Sequence, residues 1–301
     1  MVQKFLDLAQ TGKNQWWRYL LGILFILISW QVIGAIPFII LTALLQNKQS
    51  PGTQVNLQNF QFEGVDKLLS YLALNFSFVC FIISLYITVR YIHQRSFITI
   101  ITPKNKVNWP RIIQGIGVWV FLVALFSIID YYFLNNGNYE LTFDLEKFLI
   151  FLPMALVLSS IQSSVEELFF RGYLMQGIGL KTRNPTLSIL LTSLLFMLFH
   201  LLNPEVKSGF LLLVFYYFLL AVFFAFITVK DNSLELAIGI HIGNNLFNAL
   251  FANYYNSALP SPSIFTIQKF DPISNLISFI VFSVLFYSFF FRSINHETPS
   301  S

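Results

Sequence analysis

Eight apolar runs of about membrane-crossing length recur along the chain: Tyr19–Leu45, Leu68–Ile92, Ile112–Leu134, Phe148–Leu180, Thr186–Leu202, Ser208–Val229, Leu234–Ala252 and Ile273–Phe291. The hydrocarbon core of a bilayer is about 30 Å thick, and a helix needs about 20 residues to span it. Within that layer every backbone N–H and C=O must find its partner inside the protein, which leaves helices or a closed barrel. Barrel strands alternate polar and apolar residues, whereas these runs are continuously apolar. The expected fold is therefore all-α, a polytopic membrane protein built as a bundle of about eight transmembrane helices. Composition agrees, since only 11% of the residues are charged, less than half the roughly 25% of a soluble domain.

The runs leave no room for a soluble domain. The chain divides into a cytoplasmic N-terminal segment, 1–18, a single transmembrane domain, 19–292, and a polar tail, 293–301. The connections Gln46–Lys67 and Asn253–Pro272 read as turn-rich and too short to bury a core of their own. Of the 18 Lys and Arg, five (Lys48, Lys67, Lys147, Lys207 and Lys269) fall on one side of the alternating runs and 13 on the other. The positive-inside rule then places both termini in the cytoplasm, with a bacterial plasma membrane as the default location. Topology accounts for the net charge of +4, so no nucleic-acid partner is inferred. The first run is too long, and its approach too polar, for a cleavable signal peptide, and it is expected to remain as an anchor. Cys80 stands alone in the second run and reads as a small buried hydrophobe.

The fourth run is interrupted by "VEELFFRGYLMQ", Val165 to Gln176. An ionisable group at the centre of a membrane helix costs at least ~2.5–3.5 kcal/mol and normally faces the bundle interior. A solvated helix end would also accommodate these charges if the run were shorter. Helix geometry separates the two glutamates: Glu167 and Arg171 lie about 40° apart, an i,i+4 pair, and Glu166 and Arg171 about 140°. Glu167 is thus expected to pair with Arg171, leaving Glu166 to project elsewhere as a candidate general base.

Two of the four histidines, His93 and His296, sit among polar residues and read as ordinary. His200 ends an apolar helix in "LLFMLFH", and His241 lies in "AIGIHIGNNLFNAL" with Asn245 one turn later on the same face. At ~1.5 Å per residue, Glu166 lies roughly 20 Å, His200 roughly 25 Å and His241 roughly 10–15 Å from the cytoplasmic ends of their runs. The three are expected to meet around a water in a cavity reached from the cytoplasm, with heavy-atom gaps of roughly 5–7 Å. Gly239 and Gly243 would let a neighbouring helix come close. Asn244 and Asn248 are further polar groups near this face.

Glu166-Glu167-x-x-x-Arg171, Phe196-x-x-x-His200 and His241-x-x-x-Asn245, in this order on successive membrane helices, resemble the three signature motifs of the CPBP intramembrane endopeptidases. That family, also called Abi, groups CAAX prenyl proteases with bacteriocin-processing and immunity proteins. The resemblance covers about 148–252 and departs at no motif position. It implies hydrolysis of a peptide bond in a membrane-associated substrate, prenylated and CAAX-like or not. By this likeness Glu166 activates a water, His200 helps hold it, and His241 and Asn245 stabilise the oxyanion. Glu167 and Arg171 would support them from behind. Such enzymes are described both with and without a metal. Zinc held by Glu166, His200 and His241 would have an open fourth position. No HExxH pair is present, however, and no free carboxylate would remain as base, which favours the metal-free arrangement with no cofactor. The competing class is a non-enzymatic membrane protein, a transporter or an immunity scaffold, whose buried polar groups bind an ion or hold helices together.

Overall fold

A computed structural model describes residues 4–47, 54–56, 61–63, 65–134 and 138–292. The polar tail at 293–301, with His296, lies outside the described residues. Each apolar run is a helix: α1 Trp16–Leu45, α2 Lys67–Ile92, α3 Trp109–Leu134, α4 Leu145–Thr182, α5 Pro185–His200, α6 Phe210–Asp231, α7 Glu235–Leu250 and α8 Pro272–Phe291. Six are long and apolar enough to cross a membrane, while α5 and α7, at 16 residues, are shorter. The protein is an all-α polytopic membrane protein.

Local chemistry sets the helix starts. Asp144, Asn184 and Asp271 cap α4, α5 and α8 by accepting from the backbone N–H of Lys147, Leu187 and Ile273. Pro185 and Pro272 occupy the first turn, where a missing N–H costs nothing. α6 stops at Asn232, whose φ of 55° lies in the left-handed region that asparagine tolerates. The Asn232 side chain then accepts from the Phe5 N–H at 2.7 Å.

That contact draws the N-terminal segment onto the bundle. Phe5, Leu8 and Ala9, in a 3-10 turn over Phe5–Thr11, are almost completely buried. His93 is buried too, rather than an ordinary interfacial residue, and burial pushes its imidazole down to about 4. In the neutral ring Nδ1 must donate to the Lys13 carbonyl at 2.8 Å, so Nε2 accepts from the Tyr173 hydroxyl at 2.9 Å. One residue therefore ties the N-terminal segment and α4 together.

At the opposite end of the bundle is an element with no sequence signal. The connection after α7, expected to be turn-rich, supplies β4 Ala252–Tyr254 and β5 Phe265–Ile267. β5 pairs antiparallel with β3, Tyr139–Leu141, and parallel with β4. A second pair, β1 Gln54–Asn56 and β2 Gln61–Glu63, is antiparallel.

The glycines of α7 fix its distance from α3. A Cβ on Gly239 would stand 2.4 Å from the Ile112 carbonyl oxygen and 3.0 Å from Gly115 Cα. His241, two residues on, is turned about 200° from Gly239, so seating the glycine face on α3 aims the imidazole at α4. Gly239→Ala must push two backbones apart, and we expect a loss of ~1–3 kcal/mol, the range for overpacking. Thermal unfolding in detergent checks this, and an unchanged Tm would show that the close approach is dispensable.

Candidate active site

Glu166 and Glu167 end the regular part of α4. From Leu168 to Leu174 the helix widens into a π-turn, a feature often found at functional sites. The two carboxylates face different ways. Arg171 Nη1 donates to Glu167 Oε1 at 2.8 Å, and both side chains are essentially inaccessible. The guanidinium also donates from Nη2 to the Ala221 carbonyl at 3.0 Å and lies 4.5 Å from the Phe196 ring centroid. Planar, delocalised and weakly hydrated, it suits this apolar cage.

Glu167 has a second partner that the helix wheel did not reveal. His241 Nδ1 lies 2.8 Å from the same Oε1. An ionised carboxylate only accepts, so Nδ1 carries the proton and Nε2 is turned away from Glu167. His200 Nδ1 is likewise committed, donating to the Phe196 carbonyl at 2.8 Å. Its ring stacks on Phe196 at 4.1 Å and packs against Tyr217 at 4.8 Å.

Both Nε2 atoms therefore face one carboxylate. Glu166 Oε2 is 3.9 Å from His200 Nε2 and 3.9 Å from His241 Nε2. These gaps are shorter than the roughly 5–7 Å anticipated, and one water at ~2.8 Å from each atom closes both. Asn245 lines the same cavity, with Nδ2 donating to Ser163 Oγ at 3.1 Å and Oδ1 accepting from Asn244 at 3.2 Å. Trp119 Nε1 donates to Asn244 at 3.3 Å, which completes a chain from α3 through α7 to α4.

The zinc alternative needs three donors around one point. Ligands of tetrahedral zinc, ~2.0–2.1 Å from the ion, stand about 3.4 Å from one another, closer than the 3.9 Å found here. Among the described residues no group of three or more His, Cys, Asp and Glu is arranged to hold a metal. The donor set does not fit zinc as it stands.

The cavity encloses about 260 Å³ and runs from Glu166 past Tyr217 to Glu205, Tyr254 and Ser274. Glu205 was passed over in the sequence because a lone acid in a short connection carries no periodic signal. Its Oε1 accepts from the Tyr217 hydroxyl at 2.9 Å, and burial raises its carboxyl above the ordinary range. Ser163 was also missed, although it precedes Glu166 by three residues on the same helix.

The cavity has a direction within the bundle. It extends toward the end of the bundle formed by β3 to β5 and the connection between α5 and α6. The basic connections lie at the other end, where Leu234 N–H bonds to the Ile101 carbonyl and Arg111 pairs with Asp231 at 2.6 Å. The cavity therefore extends away from the end that carries the basic connections. The depth estimate placed the three side chains along their helices but could not tell which end of the bundle the space between them reaches.

Residues 147–247, which span α4 to α7 nearly completely, match the family described as type II CAAX prenyl endopeptidase Rce1-like. Over 267 residues, 87% of each chain, the sequence is 32% identical to the uncharacterized protein YyaK of Bacillus subtilis (strain 168). The chain belongs to the Rce1-like family. No solved structure matches it. The Rce1-like family is one of CAAX-type intramembrane proteases. The matched segment contains every charged and polar side chain of the Glu166 cluster.

Proposed function

We propose that this Rce1-like protein is an intramembrane endopeptidase that hydrolyses a peptide bond of a membrane-associated peptide or protein through a glutamate-activated water. The observation that carries the reading is the pair of 3.9 Å separations between Glu166 Oε2 and two imidazole Nε2 atoms whose Nδ1 atoms are already committed. A water in this space gives its proton to Glu166 while His200 Nε2 accepts its second hydrogen, which orients the oxygen lone pair toward a carbonyl carbon. As the C–O bond forms, charge develops on the carbonyl oxygen. His241 Nε2 faces that oxyanion and donates to it when the ring is protonated, with Nδ1 held by the Glu167 carboxylate at 2.8 Å. Asn245 keeps one amide hydrogen beyond its bond to Ser163 and supplies a second donor. The proton on Glu166 then passes to the leaving amine.

The test is cleavage of a panel of membrane-associated peptides, with and without a prenylated CAAX-like tail, by purified protein in the presence and absence of chelator. We expect products from at least one peptide, unchanged by chelator. Loss of turnover on chelation with recovery on stoichiometric zinc would overturn the metal-free mechanism. Failure to cleave any peptide would favour a non-enzymatic role for the polar cluster.

A further inference from the structure

The placement of the cavity within the bundle identifies the side from which it is reached. Its far wall comes from Asn203 and Glu205 between α5 and α6, from Tyr254 and Ala258 after α7, and from Ser274 in the first turn of α8. No residue of the connections between α2 and α3, α4 and α5, or α6 and α7 lines it. The first two of these connections carry Lys104, Lys106 and Arg183, and Lys230 lies in the last turn of α6 beside the third.

The connections cannot exchange ends. β3 is held to β5 on one side, while Asn108 N–H bonds to Glu235 at 3.1 Å on the other. Arg171, which sequence alone counts with the basic side, is buried and ion-paired within the bundle and is not a loop charge. Even without it the basic excess remains at the end away from the cavity, and the positive-inside rule holds that end in the cytoplasm.

We propose that the cavity opens at the non-cytoplasmic face of the membrane, so that its substrate is a peptide segment presented there. The substrate half of this statement rests on the hydrolase reading above; the side of access does not. A peptide exported across the membrane, or attached to its outer leaflet, reaches Glu166 along the cavity, whereas a cytoplasmic chain meets the packed surface formed by Phe5–Thr11 and the connection at 93–108.

Thiol accessibility tests the two halves separately. In a Cys80→Ala background, Ala258→Cys places a small thiol in the cavity wall, and Asn105→Cys places one in the exposed basic connection. A small, negatively charged methanethiosulfonate reagent is applied to intact cells and then to permeabilised cells. We expect Ala258→Cys to react in intact cells and Asn105→Cys only after permeabilisation. Reaction of Asn105→Cys in intact cells, or protection of Ala258→Cys until permeabilisation, would overturn the proposal. If Ala258→Cys does not accumulate, Ser274→Cys on the same wall gives the same reading. A peptide supplied outside intact cells should also be cleaved. Absence of cleavage from either side would count against the hydrolase and leave the labelling result standing.

Discussion

Glu166→Gln is expected to leave a folded, membrane-inserted protein whose peptide hydrolysis falls by at least ~10²-fold, the lower end for removing a general base. The amide has the size of the carboxylate but cannot accept the water's proton. Glu166 makes no ion pair with Arg171; its Oε2 faces the two imidazole Nε2 atoms, each at 3.9 Å. Little structural stability therefore depends on its charge, and Tm should hardly move. Single-turnover kinetics with a peptide that the parent protein cleaves measures the effect. Retention of near-normal rate would show that another group activates the water and would reverse the roles of the adjacent glutamates.

Glu167→Gln should do the opposite to stability. Oε1 receives both Arg171 Nη1 and His241 Nδ1 at 2.8 Å, and both Glu167 and Arg171 are fully buried. Removing one charge of a buried pair strands the other in a medium that cannot solvate it, at a cost of about 3–5 kcal/mol. Activity should fall as well, because a neutral amide holds the His241 Nδ1–H, and with it the ring's orientation, less firmly than a carboxylate does. The combined variant Glu167→Gln with Arg171→Met separates these effects. It removes the stranded cation and should recover much of the Tm, while hydrolysis stays low. Recovery of both together would mean that Glu167 matters only for packing, and an unchanged Tm in the single variant would remove the buried pair from the account of stability.

The order of these effects follows from a division of labour between neighbouring residues. One carboxylate is held from two sides and holds His241 in turn, while the other is left facing the cavity. Adjacent positions on a helix point about 100° apart, which lets two identical side chains take different environments without any change in backbone type.

Sequence by itself determined the all-helical membrane fold, the approximate bounds of eight helices, and the pairing of Glu167 with Arg171. Each depends on local periodicity or on the solvent that the composition demands: continuous apolar runs and the i,i+4 spacing are properties of short stretches of chain. The cluster around Glu166 was legible as a list of polar residues in an apolar setting, because burial of such groups is costly wherever it occurs. Only the tertiary structure decided which atoms meet. The Glu167–His241 bond joins residues 74 apart, and the Ser163–Asn245 bond joins residues 82 apart. In the small sheet β3 pairs with β5 across more than a hundred residues, with three-residue strands too short to show a period. The end to which the cavity extends was likewise invisible, since it depends on where α4, α5 and α7 diverge, a consequence of packing such as the Gly239 contact with Ile112. Spacing along one helix fixes an angle; the gap between helices is set by the side chains of both.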